Sequence, residues 1–276
     1  ANNFILSKNR DLTVGYEVTL PELFTLSDRD YEAFHQVWVK AVKMLPRHSV
    51  LHKQDWFLDS NFSSCFDGAD HSFLYHASER YFHERPYLEH RCYLFLTKIP
   101  SGRKPSSSML SNLLRSNIVP AETLSTVAIQ EFADVAGQVQ RLLEDSGFVS
   151  LRQLQDEDVK GTSSKGGLLE QYLFLCSQAG RPILGDISFD QELRIGDKYC
   201  QVYTLGQVED LPSLCGSRIN YDRYSTDRTK FSIGFAAPLG QLLSCNHIYN
   251  QYLFVEDAQK TLKGLENKKL RLQSLS

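Results

Sequence analysis

Hydrophobic side chains take every second position near the start of the chain: Leu12, Val14, Tyr16, Val18 and Leu20. A period of two predicts a strand with one buried face, and Pro21 ends it. The period then lengthens. Ser27 caps a predicted helix with Asp28 and Asp30 in its first turn, where exposed N–H groups and the helix dipole favour acids. Tyr31, Phe34, Trp38, Ala41, Val42 and Leu45 form one apolar stripe, and Pro46 closes the helix. Residues 48–58 read as a second strand, with Val50 and Trp56 on one face and Leu51 and Phe57 on the other.

The pattern predicts a short helix over 72–84 and a strand over 91–99. That strand contains Cys92-Tyr93-Leu94-Phe95-Leu96, an unbroken apolar run suited to a central place in a sheet. Residues 100–108 are rich in Ser, Gly and Pro and predict a mobile loop. A helix follows over 121–145, with Leu124, Phe132, Val135, Val139 and Leu142 near one face; Gly147 ends it, and 148–154 reads as a strand. Residues 155–167 are polar and full of breakers, which makes them the predicted internal boundary. Beyond them come a helix over 168–176, a hairpin over 193–205 turning at Gly196-Asp197, and a charged loop over 217–230. Strands near 231–236 and 247–255 follow, then a helix over 257–274.

Helices and strands mix without strict alternation. The predicted class is α+β: mainly antiparallel sheets with helices packed on their faces. The boundary at 155–167 divides this into a first lobe at 1–160, a second at 161–256, and a connecting helix at 257–276.

Composition narrows the function. Of 276 residues, 42% are hydrophobic and 29 are Phe or Tyr, enough burial to exclude a disordered chain. The formal net charge of −3 gives no global field to attract nucleic acid. Six cysteines occur, none in a Cys-x-x-Cys pair, and the expectation is reduced, mostly buried thiols. The uncharged tract 231–255 contains Gly, Pro and Asn and reads as strand and turn rather than a membrane span.

Catalytic patterns are weak. Gly161 to Gly167 lacks the spacing and the Lys-Ser/Thr ending of a phosphate loop. Ser101 and Lys104 have the S-x-x-K outline but lie in the predicted loop, without the rigid helix that chemistry needs. His71, His76, His83 and His90 are spaced too widely for a zinc site. Asp55 and Asp59 show no second carboxylate for acid–base work. No catalytic, cofactor or metal residue is expected.

Two surfaces remain. The stretch around Trp56 and Phe57 is either a core strand or an interface patch, since Trp joins large apolar area to a hydrogen-bond donor. The tract 218–230 interleaves Arg218, Arg223, Arg228 and Lys230 with tyrosines, as single-strand binders do, but Asp222 and Asp227 weaken its field, which favours a solvated or subunit-contacting loop. The last helix sets Lys260, Lys263, Lys268, Lys269 and Arg271 against Asp257 and Glu266, over a stripe of Ala258, Leu262, Leu265 and Leu272. It reads as an amphipathic connector, with a membrane-surface helix as the alternative.

Six blocks carry a resemblance: Leu20-Pro21-Glu22-Leu23-Phe24, His52-Lys53-Gln54-Asp55-Trp56-Phe57-Leu58, Glu84-Arg85-Pro86-Tyr87, Ile219-Asn220-Tyr221-Asp222, Ser225-Thr226-Asp227-Arg228-Thr229-Lys230-Phe231, and the run from Cys245 through Phe254. Together they resemble the amino-terminal region of the TraG conjugation ATPases of Bacteroides-type conjugative transposons, within the large ATPases of type IV secretion. The start at Ala1 and the terminal connector suit a piece of such a protein. The resemblance implies a non-catalytic domain that helps the ATPase oligomerise and dock on the inner-membrane channel. ATP and Mg are then expected only in a following motor domain. The implied partners are that motor, neighbouring subunits and channel proteins, and the implied place is the inner face of the cytoplasmic membrane. Trp56, Phe57, Arg218, Arg223, Arg228, Lys230, Tyr249 and Tyr252 are the candidate contact residues. The alternative is a nucleic-acid-binding module using Arg218, Arg223, Arg228 and Lys230.

Overall fold

The structure is a computed structural model. It describes residues 3–22, 26–62, 72–100, 126–163, 166–175, 186–196, 198–204, 206, 219–220, 232–233 and 243–274. Its largest element is a six-stranded antiparallel sheet of β1 (Ile5–Leu6), β2 (Leu12–Thr19), β3 (Ser49–Ser60), β4 (Tyr87–Lys98), β5 (Ser150–Gln153) and the strand His247–Val255. Among the described residues five short strands lie between β5 and that last strand: β6 (Ile187–Phe189), β7 (Leu193–Ile195), β8 (Lys198–Cys200), β9 (Ile219–Asn220) and β10 (Ser232–Ile233), so it is β11. The order across the main sheet is β1-β2-β4-β3-β11, with β5 also on β2. The apolar run in β4 is therefore central, as its composition requires.

Among the described residues six helices accompany the strands: α1 (Asp28–Met44), α2 (Phe73–His83), α3 (Thr126–Glu144), α4 (Asp156–Lys160), α5 (Leu168–Phe174) and α6 (Ala258–Gln273). The fold is α+β. Ser27 and Asp30 form a reciprocal capping box at the start of α1, which satisfies two of the N–H groups a helix start leaves bare.

Both faces of the sheet are covered. One face, with Val14, Tyr16, Val18, Leu51, Cys92, Leu94 and Leu96, packs against Ala41 of α1 and Phe132, Ala136, Val139 and Leu143 of α3. The other carries Trp56, Leu58 and Tyr93 against Leu154, Val159 of α4 and Leu168 of α5. Strand periodicity produces this split: neighbours such as Leu51 and Trp56, an odd number apart, point to opposite sides.

Contacts cross the expected boundary at 155–167. α4 forms within it, and Gly161 bridges Gly166. A Cβ on Gly167 would lie 2.3 Å from the Gly161 nitrogen, so the glycine permits a close turn. Leu168, after the turn, shares a cluster with Trp56, Leu58 and Leu154 before it. β11, assigned to the second lobe, pairs along its full length with β3 of the first. Polar breakers mark a turn; they do not show what lies across it. The hairpin at Gly196 forms as expected, with φ +61° at the glycine, and β6 joins it as a third strand. The loop over 101–108 lies outside the described residues.

Candidate docking surface

β3 and β11 run antiparallel, with Trp56 opposite Ile248, Phe57 opposite His247, Asp55 opposite Tyr249 and His52 opposite Tyr252. This register decides which candidate residues meet solvent. Trp56 is wholly buried. Its ring lies edge-on to Tyr93 at 5.1 Å and 5.8 Å from Tyr172, and its Nε1 donates to Gln54 Oε1 at 3.1 Å. Trp56 is thus a core residue and not a contact residue: its face of β3 lies beneath α4 and α5.

Phe57 points the other way and is only half-buried. It stacks between His90 on β4 and His247 on β11, with ring centres 4.7 Å away on each side. Beside this ladder, Asp55 is buried and accepts from Lys53 and from His90, the latter at 2.9 Å. Burial pushes the Asp55 carboxyl upward most strongly. The His90 hydrogen bond and the Lys53 charge outweigh it, so the carboxyl stays below its ordinary range. The neighbouring Cys92 thiol is pushed up to about 12, chiefly by burial. It is no nucleophile at neutral pH.

On the opposite face His52 stacks on Tyr252 at 3.9 Å and hydrogen-bonds Asn250 Oδ1, which also accepts from Gln54 at 3.0 Å. Burial lowers the His52 pKa against the raising effect of Asn250. Tyr252 is 53% exposed and Phe254 65%, while Tyr249 is half-buried. Among the described residues β11 pairs only with β3, so its outer backbone edge meets no strand.

After β11 comes α6. Asp257 caps it by accepting from the Gln259 and Lys260 amides, and also pairs with Arg47 at 3.0 Å. That fastens one end of the helix to the domain. The rest has no buried residue: Leu262, Leu265, Leu270 and Leu272 are 58–69% exposed.

A cleft of about 500 Å³ opens where β2 ends and β4 runs on. Its charged walls are engaged: Glu17 with Arg152, Glu89 with Arg91, and His90 with Asp55. Among the described residues the other histidines form no cluster with Cys, Asp or Glu that could hold a metal. His83 meets the Phe62 carbonyl and His76 lies 4.0 Å from Glu79. Arg218, Arg223, Arg228 and Lys230 lie outside the described residues, as does His71. Cys92, Cys200 and Cys245 are free thiols. Among the described residues no helix is long and apolar enough to cross a membrane.

Reading the sequence singled out Trp56, Phe57, Tyr249 and Tyr252, and the sheet brings the last three to its β11 margin. It did not single out His247 or Phe254; His52 it placed in the stretch with Trp56 and Phe57, and His90 it weighed only against a zinc site. Their alternation was visible, but only the register places them side by side.

A family model described as a domain of unknown function, B. Theta Gene description (DUF3875), matches residues 1–36. Comparison with curated proteins gives no match. The matched segment covers β1, β2 and the first half of α1, away from β11 and α6.

Proposed function

We propose that this chain is a non-catalytic assembly and docking domain of a conjugative DNA-transfer ATPase of the type IV secretion class. The observation that carries the reading is α6: a helix tied to the domain at its capped end by Arg47 and uncovered along its leucines. A helix that buries none of its own stripe gains stability from a partner. Five cations against Glu266 give that partner an acidic character. In this reading α6 leads toward the motor domain, where ATP and Mg act, and its uncovered leucines dock on the inner-membrane channel, while the β11 margin meets neighbouring subunits. The domain then works at the inner face of the cytoplasmic membrane without spanning it.

The test replaces Leu262 and Leu265 together by Asp in the parent ATPase. Recovery with the inner-membrane channel and DNA transfer should each fall by about tenfold or more, a loss of ~1.4 kcal/mol of docking energy. ATP hydrolysis by the motor should persist. Unchanged transfer, or tight ATP binding with turnover by this chain alone, overturns the reading.

A further inference from the structure

Among the described residues β11 is an edge strand without the usual protection. Exposed edges are blunted by shortness, charge, proline or bulges. The opposite margin of the sheet uses shortness: β1 has two residues and β5 four. β11 has nine, His-Ile-Tyr-Asn-Gln-Tyr-Leu-Phe-Val, with no charge, proline or glycine. It extends about 30 Å. Tyr252, Leu253 and Phe254 on it are 53%, 47% and 65% exposed.

We propose that β11 pairs antiparallel with β11 of a second copy of this chain, about a two-fold axis at Gln251. The sequence is self-complementary in that register. Ile248 faces Phe254 of the second copy, Tyr249 faces Leu253, Asn250 faces Tyr252, His247 faces Val255, and Gln251 faces its own counterpart. One pair on each face, Ile248 with Phe254 and Tyr249 with Leu253, sets apolar or aromatic side chains together, and the two central amides can bond each other. The first acids, Glu256 and Asp257, fall outside the paired stretch, so no like charges meet. The two-fold also closes: it joins two six-stranded sheets into one and leaves only the short margins outside. Charge assigns α6 elsewhere. With five cations and one anion it repels its own copy, whereas uncharged β11 does not.

This inference deepens the assembly reading by naming its partner and surface, and rests on it only in taking a second copy as the partner. The test is sedimentation velocity of the whole chain over a wide concentration range. A monomer–dimer equilibrium is expected. Gln251→Lys and Gln251→Glu should each weaken it by about tenfold or more, because like charges then meet on the axis. Mixing the two variants should restore a dimer, which also shows that both fold. As an independent measure, Gln251→Cys in a Cys245→Ser background should give a reducible cross-link. Tyr249→Cys should not, since it faces Leu253. A monomer at every concentration, a dimer indifferent to both Gln251 charges, or equal cross-linking of the two cysteine variants overturns the inference. The docking reading survives such a result if Leu262 and Leu265 are still required in the parent, so the two failures are distinguishable.

Discussion

Gly15 lies opposite Phe95 in the β2–β4 ladder, and its missing side chain makes room for that ring. A Cβ there would sit 2.9 Å from both Phe95 Cε1 and Leu154 Cδ1. Neither ring nor leucine has open space to retreat into, because Leu154 is buried and Phe95 packs on the same cluster. Gly15→Ala should therefore destabilise by ~1–3 kcal/mol, the usual effect of overpacking, read as a lower thermal midpoint. Asp55 makes a second residue-scale prediction. Its folded pKa lies below the unfolded value, so its contribution is complete above the ordinary carboxylate pKa of about 3.9 and is lost as pH falls through the folded one. Asp55→Asn should cost ~2 kcal/mol near neutrality, less than for a fully enclosed pair because His90 reaches solvent. The gap between variant and parent should close on acidification. Melts over a pH series decide it: a gap that stays constant to low pH would assign the loss to packing rather than to charge.

At the scale of elements, what was legible followed from local rules. The run at 247–255 shows strand chemistry and turn residues before it, and β11 has those bounds. Ser27 and Asp30 announce their capping box in sequence because the partners sit three residues apart. What was not legible depends on long-range pairing. β3 is apolar on both faces at Leu51 and Trp56, so alternation alone could not say which aromatic reaches solvent; α4 and α5, far along the chain, bury Trp56 and leave Phe57 between two histidines. The same limit hid α4. Asp156, Glu157 and Asp158 read as a polar breaker but also suit the first turn of a short helix. Of the candidate surface, the tyrosines of β11 were visible as residues, while their partner strand was not.

At the scale of the molecule, one sheet draws on both ends of the chain. β3 is an inner strand only because β11 closes it, and Trp56 and Leu58 are dry only because Leu168 follows the turn at Gly167. A piece covering residues 1–160 keeps β1 to β5 but bares Trp56, the outer side of β3 and the apolar face under α5. It should lack a cooperative melt and bind a hydrophobic dye, because losing cover of side chains that size removes several kcal/mol from a marginal total. Cutting after Glu256 removes only α6. Among the described residues that helix contributes no buried residue, and its ties to the rest include the Arg47–Asp257 ion pair and a Thr261–Glu256 hydrogen bond, both exposed. An exposed pair adds at most ~1 kcal/mol, so the midpoint should move by no more than about 2–4 °C. Circular dichroism melts of the two pieces separate the alternatives. A cooperative 1–160 piece would restore a division into lobes. A collapse on loss of α6 would make that helix part of the fold, and with it the case for a presented docking helix would fall.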